Sequence, residues 1–168
     1  MHTTSADLLS DLAGLLAGES DPVANAANTA AAIWQHVPRI NWAGFYFLKH
    51  GELVLGPFQG KPACVRIRLG AGVCGTAAAR RETIVVADVH AFAGHIACDG
   101  ASNSEIVVPL LSGENLLGVL DIDSPEFGRF GAAEQALFEA VAHAWTASLQ
   151  QGPQAAPLTF LPSGPATA

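Results

Sequence analysis

The sequence has no long apolar run. Half of its 168 residues are hydrophobic, yet no uninterrupted stretch approaches the roughly 20 residues of a membrane span. Met1-His2-Thr3-Thr4-Ser5-Ala6-Asp7 lacks a basic region followed by an apolar one, so no secretory signal is expected and the cytoplasm is the default location. Basic residues are scarce, 8 against 15 acidic, for a net charge of -7. That balance argues against nucleic acid, whose phosphates call for basic patches. The chain has only three cysteines, an odd number that builds no disulfide framework in a reducing compartment. Cys64, Cys74 and Cys98 fit no CxxC or HxxxH spacing, even with His90 or His95 as a further ligand, which argues against zinc. Thiol redox chemistry remains. Neither GxxxxGK[ST] nor GxGxxG occurs, so Gly70-Ala71-Gly72 before a helix is only a weak phosphate signal. No internal repeat is present.

What is there reads as one domain over 1–150, long enough to bury a core without staples. Leu8, Leu9, Leu12, Leu15 and Leu16 form a helical stripe stopped by Gly18. Asp21 caps a second, alanine-rich helix with Pro22 in its first turn, running to about His36 before Val37-Pro38. Ile40 to Leu48 is an aromatic strand. Its period of two puts Trp42, Gly44, Tyr46 and Leu48 on one face and Ala43, Phe45 and Phe47 on the other. Gly44 leaves a gap between two large rings, where a ligand or a backbone can approach.

A turn at Lys49-His50-Gly51-Glu52 returns Leu53 to Phe58 as a hairpin partner. Cys64 to Leu69 reads as a short strand, Val73 to Arg81 as a helix, and Thr83 to Val86 as a strand. Glu105–Leu111 and Leu116–Asp123 form a second hairpin across Ser112-Gly113-Glu114-Asn115. A last helix, about Gly131 to Leu149, carries Phe138, Val141, Ala142 and Trp145 on one stripe. Helices at both ends of a mainly antiparallel sheet make an α+β layer architecture. Residues 151–168 hold four of the ten prolines and no charge, and are expected to be a disordered tail.

Chemistry concentrates between Gly94 and Glu105. Cys98 sits among small residues, Gly94, Ala97, Gly100, Ala101, Ser102 and Ser104, that leave its sulfur approachable. Loops held by a rigid strand are where reactive groups gather. Here that strand is the apolar run Ile106-Val107-Val108-Pro109-Leu110-Leu111.

Three contexts, Gly56 to Cys64, Gly72-Val73-Cys74-Gly75 and Gly94-His95-Ile96-Ala97-Cys98-Asp99, followed by Ser102-Asn103-Ser104-Glu105 and Asp121-Ile122-Asp123, give the chain a specific likeness. From about Leu8 to Leu149 it closely resembles the free methionine-(R)-sulfoxide reductases, enzymes built on the GAF fold. The resemblance implies a GAF-like sheet with N- and C-terminal helices packed on it. It implies a thioredoxin-dependent oxidoreductase, connected with oxidative stress, that needs no cofactor or metal. Cys98 corresponds to the cysteine that attacks the sulfoxide sulfur and becomes a sulfenic acid. Cys64 corresponds to the resolving cysteine that closes a disulfide, and Cys74 to a further redox cysteine of variable role. Trp42 and Tyr46 match pocket aromatics, and Glu105, Asp121 and Asp123 match acidic binding residues. The implied partners are free methionine-(R)-sulfoxide and thioredoxin, with a homodimer compatible and no nucleic acid or membrane. A GAF module that senses a small ligand or redox state is the competing reading; it accounts for the fold and pocket but not for three cysteines.

The chemistry fits the residues. Carboxylates crowded in a semi-buried pocket raise one another's pKa. A carboxyl held protonated can then act as general acid on a sulfoxide oxygen, while an ionised one receives the ammonium of a free amino acid. One geometric tension stands. A four-residue loop from Ser112 to Asn115 places Glu105 opposite Ile122, pointing away from Asp121 and Asp123. Convergence of the three acids therefore requires a bulge, an odd-length loop, or Glu105 lying before the regular strand.

Overall fold

The computed structural model describes residues 5–94 and 100–150. Among these, six strands form one antiparallel sheet in the order β3-β2-β1-β6-β5-β4. The strands are β1 (Trp42–Lys49), β2 (Glu52–Gly60), β3 (Arg66–Arg68), β4 (Ile84–Val86), β5 (Ser104–Ser112) and β6 (Asn115–Ser124). The helices are α1 (Ser5–Leu15), α2 (Pro22–His36), α3 (Gly72–Arg80) and α4 (Ala132–Ser148). None of the described helices is long and apolar enough to cross a membrane.

Local chemistry fixes the helix ends. Asp21 accepts hydrogen bonds from the amides of Val23 and Ala24, and Pro22 occupies the first turn of α2. Glu134 reaches back to the amide of Gly131 to start α4.

The sheet separates two apolar clusters, and β1 feeds both. Ala43, Phe45 and Phe47 pack with Leu8 and Leu12 of α1, Ile33 of α2 and Trp145 of α4. Trp42 and Tyr46 point the other way, with Leu53, Val73, Cys74 and Ala77. The expected period-two alternation is thus present. Helices at both chain ends carry the larger core, and the short α3, with Val89 and loop residues such as Ala63 and Phe92, packs on the opposite face.

Three expectations change. The stretch Cys64–Leu69 yields only the three-residue β3, with Cys64 in the preceding loop. That loop turns its carbonyls to side chains rather than to a ladder: Lys61 O accepts from Trp42 Nε1 and Cys64 O from Tyr46 Oη. The gap at Gly44 is filled by a side chain. Phe58 pairs with Gly44, and a Cβ there would lie 2.4 Å from Phe58 Cβ. The second hairpin has a two-residue loop, because Ser112 pairs with Asn115. The segment 151–168 lies outside the described residues.

Candidate active site

Of the alternatives that could bring the acids together, the structure has the bulge. Leu111 pairs with Leu116 but Leu110 pairs with Gly118, so Leu117 is an extra residue in β6. Beyond it the register advances by one. Glu105 stands opposite Asp123 and Val107 opposite Asp121. On its other side β6 sets Asp123 against Trp42 and Asp121 against Gly44. Opposed residues share a face, so Trp42, Asp123 and Glu105 form one row across three strands. Phe58, Gly44, Asp121 and Val107 form the next.

Trp42, Asp123, Glu105 and Asp121 of these rows line a pocket of about 520 Å³, part of it open to solvent. Trp42 and Tyr46 line one side, Glu105, Asp121 and Asp123 another, and the first turn of α3, Gly72-Val73-Cys74, lies across from the sheet. The rings stack in a series. Trp42 lies 5.9 Å from Tyr46 and 5.3 Å from Phe58, centroid to centroid. Such offset contacts stabilise by about 0.5–1.5 kcal/mol beyond area burial.

The acids are crowded out of water. Glu105 and Asp121 are each 6 % exposed. Burial raises the pKa of Glu105 well above the usual carboxylate range, and the charges of Asp121 and Asp123 add to this. Burial likewise lifts Asp121 to about 7, against hydrogen bonds from Cys74 and Glu105 that pull it down. The cluster thus holds protons near neutral pH, as its like charges demand. Asp121 Oδ1 is buried and unpartnered within the described residues.

Cys74 is a free, buried thiol whose Sγ lies 3.9 Å from Glu105 Oε1. Burial raises its pKa, as do the neighbouring charges of Asp121 and Glu105, so it stays a thiol. Tyr46 is pushed upward in the same way, by burial first and then by Asp121, and remains a neutral donor. Cys74 Sγ and one oxygen each of Glu105 and Asp121 lie within 4.8 Å of one another. Such a set can hold a cation, which the sequence spacings did not signal.

Seven of the eight expected site residues are described. Trp42, Tyr46, Cys74, Glu105, Asp121 and Asp123 line the pocket. Cys64 follows Pro62 and Ala63 of its wall and is disulfide-bonded. Cys98 lies outside the described residues. Two further residues were not expected at the site. Phe58 closes the ring stack, and Ser102 lines the pocket while accepting a hydrogen bond from Asn41 Nδ2 at 3.0 Å. The gap beside Gly44 was read as room for a ligand or a backbone, and did not single out the Phe58 side chain. Ser102 stands in the run Ser102-Asn103-Ser104-Glu105 with nothing in the sequence to single it out.

Residues 22–150 match the GAF domain family model. The chain is 57 % identical over 138 residues to "Free methionine-R-sulfoxide reductase" of Escherichia coli (strain K12), covering 82 % of this chain and 84 % of that protein. It is 46 % identical over 143 residues to the Saccharomyces cerevisiae protein of the same name, covering 80 % and 79 %. Among solved structures, the free methionine-R-sulfoxide reductase of Neisseria meningitidis in complex with its substrate superposes with a TM-score of 0.84 at 42 % identity, covering 88 % of this chain and 89 % of that one.

Proposed function

Because the chain belongs to the free methionine-R-sulfoxide reductases of the GAF-domain family, we propose that it reduces free L-methionine-(R)-sulfoxide to L-methionine. The observation that carries this reading is one pocket with stacked rings on one side and proton-holding carboxyls on another. The rings suit the methyl thioether end. Glu105 or Asp121, kept protonated by burial, donates to the sulfoxide oxygen, which otherwise leaves poorly. An ionised carboxylate receives the α-ammonium, with the more exposed Asp123 suited to that task. The first turn of α3 has no side-chain cap, and its amides suit the substrate's carboxylate.

Cys98 is the nucleophile. Its thiolate attacks the sulfoxide sulfur, the oxygen passes to the cysteine as a protonated sulfenic acid, and methionine departs with its sulfur reduced. Cys64 then attacks that sulfenic sulfur, a disulfide forms, and the hydroxyl leaves as water. That Cys64 is disulfide-bonded while Cys74 is a free thiol supports giving the resolving role to Cys64. Thioredoxin, in the cytoplasm, reduces the disulfide with its own dithiol. The catalytic unit is 1–150, and removing 151–168 leaves turnover unchanged.

The deciding experiment is a single turnover followed by multiple turnovers with thioredoxin. Cys98→Ser yields no methionine. Cys64→Ser yields about one methionine per chain, the stoichiometry of a sulfenic acid that is not resolved, and is not recycled. One methionine per chain from Cys98→Ser overturns the thiol assignment.

A further inference from the structure

Both polar atoms of the pocket's ring pair donate to one segment of backbone. Trp42 Nε1 donates to Lys61 O at 3.1 Å, and Tyr46 Oη donates to Cys64 O at 3.0 Å. One residue further on, Leu55 N donates to Val65 O at 3.0 Å, where the chain re-enters the sheet. The segment between β2 and β3 is therefore held at both ends by side chains whose rings line the pocket. Within it, Pro62 contributes no amide, and Pro62 and Ala63 form pocket wall. The tethers also explain why Cys64 stands in a loop rather than in a ladder. The same two residues touch the substrate's space and hold the backbone of a redox cysteine.

We propose that Tyr46, assisted by Trp42, is the positioning residue of the resolving step: its hydroxyl holds the Cys64 carbonyl, and so the Cys64 sulfur, where the sulfenic acid is to be attacked. This rests on the reading in which Cys98 is oxidised and Cys64 resolves. The step itself is balanced within the chain. The Cys64 sulfur forms the S–S bond, the sulfenic S–O bond breaks, and the hydroxyl leaves as water with the thiol's proton. No further oxidant or reductant enters. Tyr46 takes no part in bond making. It shortens the search of the attacking sulfur, which a flexible loop would lengthen. With its proton committed to Cys64 O, it is also not the acid that protonates the sulfoxide, a task left to the carboxyls.

The test uses Tyr46→Phe, which keeps the ring and loses only the tether. The reduced full-length chain is mixed with excess methionine-(R)-sulfoxide and dimedone, with no added reductant. Mass spectrometry then gives the ratio of dimedone adduct at Cys98 to Cys64 disulfide, and methionine is measured alongside. Loss of one neutral hydrogen bond slows resolution about two- to tenfold, and the ratio rises by that factor. Phe58→Leu loosens the ring stack without freeing a carbonyl and leaves the ratio within about twofold of the parent. If Tyr46→Phe folds poorly, Trp42→Phe frees the other end of the segment and raises the ratio likewise. A ratio unmoved by Tyr46→Phe, with methionine still formed, overturns this inference alone. An equal rise in Phe58→Leu does so too, since it marks general loosening. If the parent chain forms no methionine, the reductase reading falls and takes the inference with it.

Discussion

Glu105 and Asp123 face each other directly across β5 and β6, two acids in a position where like charges repel. The bulge at Leu117 puts them there, since without it Glu105 would sit opposite Ile122 on the helix-covered side. Stability is thus given up to gather protons in one pocket.

That arrangement sets a pH dependence. Asp121 holds its proton to about pH 7 in the folded chain, but only to about 4 when unfolded. Between those values the native state binds more protons. Its contribution to stability is therefore full at the lower end and lost as pH rises through about 7. Glu105 acts in the same direction. Asp121→Asn makes this slope shallower and raises stability at pH 8 by roughly 1–3 kcal/mol, while activity falls. Urea unfolding of both proteins from pH 5 to 8 checks it; parallel curves contradict it.

The bulge depends on Gly118, whose φ is 156° and whose added Cβ would lie 2.0 Å from Tyr46 O. Backbone cannot yield there as a flexible side chain could. Gly118→Ala is expected to cost at least about 2 kcal/mol and to lower turnover by disturbing Asp121. Gly14→Ala, in α1 with open space around it, changes stability by no more than about 1 kcal/mol and serves as the control.

Cys74 is expected to be inert to alkylation. Burial beside Glu105 and Asp121 keeps it protonated, and the thiolate is the reactive species. In the oxidised protein, iodoacetamide labels it only after unfolding. Rapid labelling of the native chain would show that the acids do not suppress its reactivity.

Substrate choice follows from the same charges. Acetylating the amino group of methionine sulfoxide removes the ammonium and leaves an ionised carboxylate without its partner. Removing a charge-assisted hydrogen bond from a buried site costs about 1.5–3 kcal/mol, or ten- to a hundredfold in kcat/KM. The S epimer exchanges oxygen and methyl, turning the methyl to the acids, and is not turned over appreciably. Equal rates on free and acetylated substrate would remove the free-amino-acid reading while leaving the thiol chemistry.

Helix ends and strand faces were legible because each is written in a few adjacent residues. Asp21-Pro22 starts α2 as its chemistry requires, and Trp42 to Phe47 alternate as strand residues do. The neighbours of those faces were harder. A straight count from the pair Lys49 and Glu52 sets Gly44 beside Pro57, but an extra residue in β2 brings Phe58 there instead. One inserted residue exchanges the two faces of a strand, and nothing local announces it. The acids were the intermediate case. Their need to converge implied a bulge, an odd-length loop or a Glu105 before the strand, without showing that an extra Leu117 would be the answer. Cys64 was read as a strand residue because its apolar neighbours favour one, whereas two ring donors distant in sequence claim its loop.

The division of labour along β1 has a consequence for how substitutions would be inherited. Ala43, Phe45 and Phe47 answer to the helix side, and Trp42, Gly44 and Tyr46 to the pocket side. A saturation library of this strand, scored once for cellular abundance and once for growth on methionine sulfoxide, should separate into two interleaved combs. Variants at the odd-numbered positions would fail both screens together. At Trp42 and Tyr46 many would persist in the cell and yet fail to feed it.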